Sequence, residues 1–234
     1  VITPYGSRPD TQGNNHNRPA AHCYARQITG AQSCGKKKKE SADLQSTLSS
    51  FLAANATLSG AKESWGVARG DRKPWCPVPF CPSPPGGGKT TLLRDLIRTL
   101  SLGSEDRAAL RVAVVDERGE IAVCAGGEAQ MALGTHTDVL TLCPKAQGIG
   151  MVLRAMNPQV IAVDEITAAE DIAAMAYAAN CGAALLATMH AADLDELRQK
   201  PLWPLLRDSG VFRRAIVIEG MGEERRYRVE ELLP

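Results

Sequence analysis

The sequence predicts an α/β fold with a mostly parallel sheet, and three observations carry that expectation. Short apolar runs recur at Val112-Ala113-Val114-Val115, Val160-Ile161-Ala162-Val163 and Ala183-Ala184-Leu185-Leu186-Ala187, each followed at once by polar or charged residues. Helix-periodic stretches lie between them. A glycine-rich turn, Gly86-Gly87-Gly88, leads into the first such helix. Buried parallel strands read as continuous apolar runs, and their alternation with helices implies βαβ units.

The helix after the glycines is read from Leu92, Leu93, Leu96, Ile97 and Leu100, which recur at three- and four-residue intervals. A glycine turn before a helix offers free backbone N–H groups and the positive dipole end to an anion. The stretch Ser83-Pro84-Pro85-Gly86-Gly87-Gly88-Lys89-Thr90 follows the phosphate-binding pattern G-x-x-x-x-G-K-[ST], with Ser83 in place of the first glycine. On this reading Ser83 through Thr91 cradle the phosphates of ATP. Lys89 reaches the β/γ phosphates and the Thr90 hydroxyl ligates Mg²⁺. A plain helix-capping turn is the alternative. The loop should follow a buried strand, yet Pro77 and Pro79 remove ladder donors from the place where that strand belongs.

Further along, Val112–Val115 ends in Asp116-Glu117-Arg118-Gly119-Glu120, and the run Val160–Val163 ends in Asp164-Glu165. Helices are expected from Pro144 to Met156 and from Ala168 to Ala179. Ligands of such sheets bind beyond the carboxyl ends of the strands. One carboxylate there, Asp164, suits the Mg²⁺ shell, and the next, Glu165, suits orienting or deprotonating a water. Thr188-Met189-His190 ends a third strand, which places His190 to contact a γ-phosphate. Glu120 and Arg118 stand as further catalytic candidates.

Composition separates two parts of the 234-residue chain. Residues 1–82 hold 11 Lys+Arg and 5 Asp+Glu, whereas residues 83–234 hold 16 and 21. The first part is thus basic and the second acidic. Residues 1–75 are expected to be a largely disordered, low-order basic and polar segment. It contains the run Lys36-Lys37-Lys38-Lys39 and one amphipathic candidate helix, Ser41 to Ala54. Residues 76–234 form the nucleotide-binding domain. No C-x-x-C pair occurs among the seven cysteines, which are read as reduced thiols; His22, Cys23, Cys34, Cys76 and Cys81 match no metal-ligand spacing well. No run reaches the ~18 apolar residues of a membrane span, so a cytoplasmic protein, attached to membranes only through partners, is expected.

The segments "VAVVDERGEIA", "HTDVLTLCPKAQGIGMVLRAMNPQVIAVDEI" and "NCGAALLATMH" resemble the stage III sporulation protein AA family, over about Pro82 to Ile218. Those proteins resemble the motor ATPases of type II and type IV secretion and have a RecA-like core. The resemblance implies a Walker A loop at Ser83–Thr90, an acidic box at Asp116–Glu120, a Walker B at Val160–Glu165 and a histidine box at Thr188–His190. It implies a homohexameric ATPase working with membrane channel components of a sporulation apparatus, on the mother-cell side. Two positions depart from the family pattern: Gly87, where a non-glycine residue is expected, and His136, where arginine is usual. The abrupt onset of family-like sequence near Cys81 is read as a sign that residues 1–75 are not in the native reading frame, a divergent extension being the rival.

The function expected is ATP binding and hydrolysis by a ring motor that energises assembly of, or transport through, a membrane channel. A nucleic-acid-remodelling ATPase is one rival, disfavoured by the acidic balance of the domain, and no specific nucleic acid is expected. A non-catalytic nucleotide-binding scaffold is the other.

Overall fold

The computed structural model describes residues 24–26 and 80–83 through their backbone, and residues 86–105, 108–220 and 225–232 in full. The lysine run, the candidate helix from Ser41 to Ala54, and Cys23, Cys34 and Cys76 lie outside the described residues. In chain order the strands are β1 (Tyr24–Arg26), β2 (Phe80–Ser83), β3 (Val112–Asp116), β4 (Cys124–Ala125), β5 (Glu128–Ala129), β6 (Thr137–Thr141), β7 (Val160–Glu165), β8 (Ala184–His190), β9 (Arg214–Glu219) and β10 (Arg226–Glu231). The helices are α1 (Lys89–Leu102), α2 (Lys145–Met156), α3 (Ala169–Asn180), α4 (Leu194–Gln199) and α5 (Trp203–Ser209).

One sheet has the order β1-β6-β3-β7-β8-β2-β9-β10, and β4 and β5 form a separate hairpin. Every pairing from β6 across to β9 is parallel, while β1 and β10 add antiparallel to the two edges. The expected α/β fold with a mostly parallel sheet is therefore the fold observed. The strand before the glycine loop, doubted because of its prolines, does form. It is short, beginning after Pro79, and lies in parallel register between β8 and β9, with Ser83 beside His190. Only Pro82 falls inside it, so a single ladder donor is lost rather than the strand. Tyr24–Arg26 pairs with β6, so one piece of the segment expected to be low-order contributes an edge strand.

Packing follows from the two-residue period of the strands. Val112 and Val114 of β3, Val160 and Ala162 of β7, Leu186 of β8 and Ile216 and Ile218 of β9 point to the α1 side, against Leu92, Leu93, Leu96, Ile97 and Leu100. Ala113, Val115, Ile161, Val163, Leu185, Ala187, Ala215 and Val217 point the other way, against α2 and α3. All of these side chains are buried, and full burial of each large aliphatic one stabilises by about 1.5–3 kcal/mol. Two packed faces explain why the strands are apolar throughout. Gly148 of α2 lies so close to the sheet that a Cβ there would come within 2.5 Å of Val115 Cγ1. Strand carboxyl ends and the start of α1 thus meet along one edge.

Candidate functional site

Gly88 sets the entrance to α1. Its backbone is left-handed (φ 94°), which glycine adopts at little cost, and no side chain caps the helix start. The first turn of α1 holds no acidic residue. By contrast, α3 and α4 supply their own anions: Asp171 Oδ2 accepts from the N–H groups of Thr167 and Ala168, and Asp193 Oδ1 from that of Glu196. The dipole end of α1 faces a cleft of about 420 Å³ instead. Gly86, Gly88, Lys89, Thr90 and Thr91 form its floor, and Arg118, Glu120, Asp164, Glu165 and His190 line the rest. The candidate residues with described side chains are therefore brought together, apart from Gly87, which is buried within the loop and does not line the cleft. Pro84 and Pro85 lie outside the described residues, and Ser83 is placed by its backbone at the end of β2.

A register shift gives β7 one residue more than β8 between Ala162 and Glu165. A regular strand would send Asp164 and Glu165 to opposite faces; the bulge lets both line the cleft. Here two polar chains begin. In the first, Lys89 Nζ is 2.7 Å from His190 Nδ1, and His190 Nε2 is 2.9 Å from Glu165 Oε2. An ammonium only donates, so Nδ1 accepts, the ring proton sits on Nε2, and Nε2 donates to Glu165. Burial pulls the Lys89 ammonium below its ordinary pKa, while the charge of Glu165 opposes the shift.

The second chain centres on Lys145, the first residue of α2, whose side chain is 3% exposed. Its ammonium hydrogen-bonds Glu117 and lies 3.3 Å from Asp164 Oδ1. Burial lowers the affinity of Lys145 for its proton, but the Glu117 hydrogen bond and the charge of Asp164 outweigh it and raise the pKa. Asp164 is pushed up to about 6 by burial, against the pull of Lys145. The approach of Lys145 is close but poorly aligned, and both Asp164 oxygens are buried without a hydrogen bond. Such a carboxylate, in one cleft with Thr90 and an uncapped helix start, fits a divalent cation brought in with a polyphosphate. No cluster of three His, Cys, Asp or Glu suited to holding a metal by itself occurs among the described residues.

The acidic box divides its work. Asp116 is wholly buried, and its Oδ2 accepts from the N–H groups of Ile121 and Ala122, fixing the turn. Glu117 faces Lys145, while Arg118 and Glu120 face the cleft. His136 is outside that cleft: its N–H donates to Ser101 Oγ and its Nδ1 contacts the Ser101 carbonyl, tying β6 to the end of α1. Sequence reasoning missed Lys145. A lysine in a helix's first turn reads as solvated, and only the packing of α2 on β3 buries it.

The sequence model of the family described as sporulation stage III, protein AA, matches residues 74–229. The stage III sporulation protein AA of Bacillus subtilis (strain 168) is 40% identical over 131 residues, which are 56% of this chain and 43% of that protein. The chain thus spans less than half the length of this curated relative. Among solved structures, the VirB11 ATPase of the Brucella suis type IV secretion system aligns over 86% of this chain and 57% of its own, with a TM-score of 0.50 and 15% identity. The Legionella pneumophila ATPase DotB aligns over 67% and 45%, with a TM-score of 0.48 and 21% identity. The VirB11 likeness concerns the fold, and it agrees with the RecA-like core expected from the sequence. No helix among the described residues is long and apolar enough to cross a membrane. With more than half its length matched by the family's model, and its strand order and strand-end residues arranged as above, the chain belongs to the sporulation stage III, protein AA family.

Proposed function

We propose that this chain binds Mg-ATP in the cleft between the glycine loop and the ends of β7 and β8, and hydrolyses it. The observation that carries the reading is the convergence, in one cleft, of an uncapped helix start, Lys89 and a buried Asp164 carboxylate whose oxygens accept no hydrogen bond. The loop from Ser83 to Thr91 is the phosphate cradle, and Lys89 exchanges its bond to His190 for phosphate oxygen. Thr90 and Asp164 hold Mg²⁺, which neutralises phosphate charge when bound. Glu165, steadied by His190 Nε2–H, orients or deprotonates the attacking water. Arg118 and Glu120 border the same space and are second candidates for contact with nucleotide or water.

The family and the secretion-ATPase fold support a larger reading, of a ring motor that drives assembly of, or transport through, a sporulation-associated membrane channel. Homohexamers, and channel components as partners, belong to that reading, as does a peripheral place on the mother-cell side of a membrane. The test is Mg-ATP binding followed by phosphate release, measured across protein concentration. A site completed between neighbours gives turnover per chain that rises with concentration. Absence of Mg-ATP binding would overturn the reading in favour of a scaffold, and salt-resistant, tight binding of single-stranded DNA by residues 76–234 would favour the nucleic-acid motor.

A further inference from the structure

The turn after β3 is clamped from two sides. Nε of Arg94 donates to the Ile121 carbonyl at 2.8 Å, and its Nη2 donates to the Glu120 carbonyl at 2.5 Å. From β3, Asp116 Oδ2 accepts from the N–H groups of Ile121 and Ala122. Consecutive peptide groups are thus held through their carbonyls by α1 and through their N–H groups by the sheet. Gly119 takes a left-handed φ of 71°, and its N–H donates to the Asp116 carbonyl, so the chain doubles back toward β3. Arg94 stands one helical turn beyond Thr90, on the same side of α1. Thr90 and Glu120 both line the cleft. A single side chain therefore fixes the backbone of Glu120 to the helix that begins at the glycine loop.

We infer that Arg94 is a positioning residue of the site that acts through Glu120: it holds that carboxylate at a set place beside the phosphate cradle, where Glu120 orients the attacking water together with Glu165. This deepens the nucleotide reading and rests on it. A carboxylate only accepts hydrogen bonds, so beside a polyphosphate it needs a donor between them, and water is the donor that the reaction brings. Glu120 is exposed on a turn. An unheld carboxylate there samples many positions, whereas catalysis by orientation needs one. An arginine suits the hold because two parallel N–H groups of its planar fork meet two neighbouring carbonyls, and a lysine ammonium has no such fork.

The experiment uses the full chain and compares the parent with Arg94→Gln, Arg94→Lys, Glu120→Gln and the double variant Arg94→Gln/Glu120→Gln. Three quantities are measured: phosphate release at saturating Mg-ATP, affinity for a fluorescent ATP analogue, and amide hydrogen exchange at Ile121 and Ala122 without nucleotide. Arg94→Gln frees the two carbonyls, so exchange at Ile121 and Ala122 speeds up. Release falls by about 10- to 100-fold, the cost of a small misplacement. Affinity stays within about threefold of the parent, because the cradle itself is untouched. Arg94→Lys recovers part of the loss. In the Glu120→Gln background, Arg94→Gln removes less than about twofold more, since both changes break one linkage. Losses that multiply in the double variant overturn the inference and leave the nucleotide reading standing, because Arg94 would then act through the fold and not through Glu120. Release at the parental rate in Arg94→Gln or in Glu120→Gln overturns it as well, and so does weakened affinity with release at saturation unchanged. If Arg94→Gln does not fold, Arg94→Lys in the two backgrounds decides by the same cycle. Failure of the parent to bind Mg-ATP removes the nucleotide reading and this one together.

Discussion

Two lysines stand first in their helices at the carboxyl edge of the same sheet, and they are in opposite states. Lys89 opens α1 with a histidine nitrogen 2.7 Å away and its pKa pulled down by burial. Lys145 opens α2 with Glu117 and Asp164 beside it and its pKa raised. Both have little exposure. The difference lies in their partners. The charge of Glu165 only partly offsets the burial of Lys89, whereas Glu117 and Asp164 more than offset that of Lys145. Equal residue type, equal helix position and similar burial thus yield one ammonium that its surroundings disfavour and one that they favour. Asp164 and Glu165, adjacent on β7, belong to opposite chains of this pair.

The largest effect that would sharpen the comparison is expected at Glu165, at the end of the Lys89 chain. Glu165→Gln keeps the acceptor for His190 and removes the base, so Mg-ATP binding persists while phosphate release falls by about 10²–10⁴-fold. Turnover at the parental rate would move the base to Glu120. On the Lys145 side the expected loss is in the fold. Lys145→Met leaves Asp164 buried without its cation and lowers stability by about 3 kcal/mol in urea unfolding. Unchanged stability would mean that Glu117 and Asp164 do not favour the Lys145 ammonium, and the contrast would fail.

Asp164 gives a pH dependence of somewhat smaller size. Its folded pKa of about 6 lies above the ordinary carboxylate value, so between about pH 4 and 6 the folded chain holds a proton that the unfolded chain has lost. Stability from this group is present at low pH and is lost as pH rises through 6, by up to about 3 kcal/mol. Asp164→Asn lacks that slope, so its stability relative to the parent should grow from pH 5 to pH 7.5 in parallel unfolding series. A difference independent of pH would show Asp164 better paired than the structure has it. The smallest effect is expected at Lys89. Lys89→Ala weakens ATP affinity by about 10- to 100-fold through loss of a charged contact, yet leaves the urea midpoint in place, since burial disfavours that ammonium. Loss of stability as large as that of Lys145→Met would erase the distinction between the two.

Much of this was legible in the residues themselves. The apolar runs at 112–115 and 160–163 and the period of Leu92, Leu93, Leu96, Ile97 and Leu100 announce the layers, because burial on two faces allows no polar position mid-strand. The cleft residues could be named because their strands end in charge where such sheets bind ligands. Other elements gave weaker signals. β10 alternates Arg and Glu with Tyr227 and Val229, so its period is masked by charge at a sheet edge. The short β2 hid among prolines, since its few ladder bonds come from neighbours distant in sequence.

By itself, then, the sequence determined the α/β class, the glycine turn before α1 and the chemical identities of Lys89, Asp164, Glu165 and His190. These depend on local period and on residue type, which the chain carries at every position. Tertiary structure alone decided that Lys145 is spent on Glu117 and Asp164, that a bulge turns neighbouring carboxylates into one cleft, and that Arg94 reaches the carbonyls of Glu120 and Ile121. Each is a contact between segments far apart in the chain, and its energy depends on distance and burial. Neither quantity exists until the sheet has brought those segments to one edge.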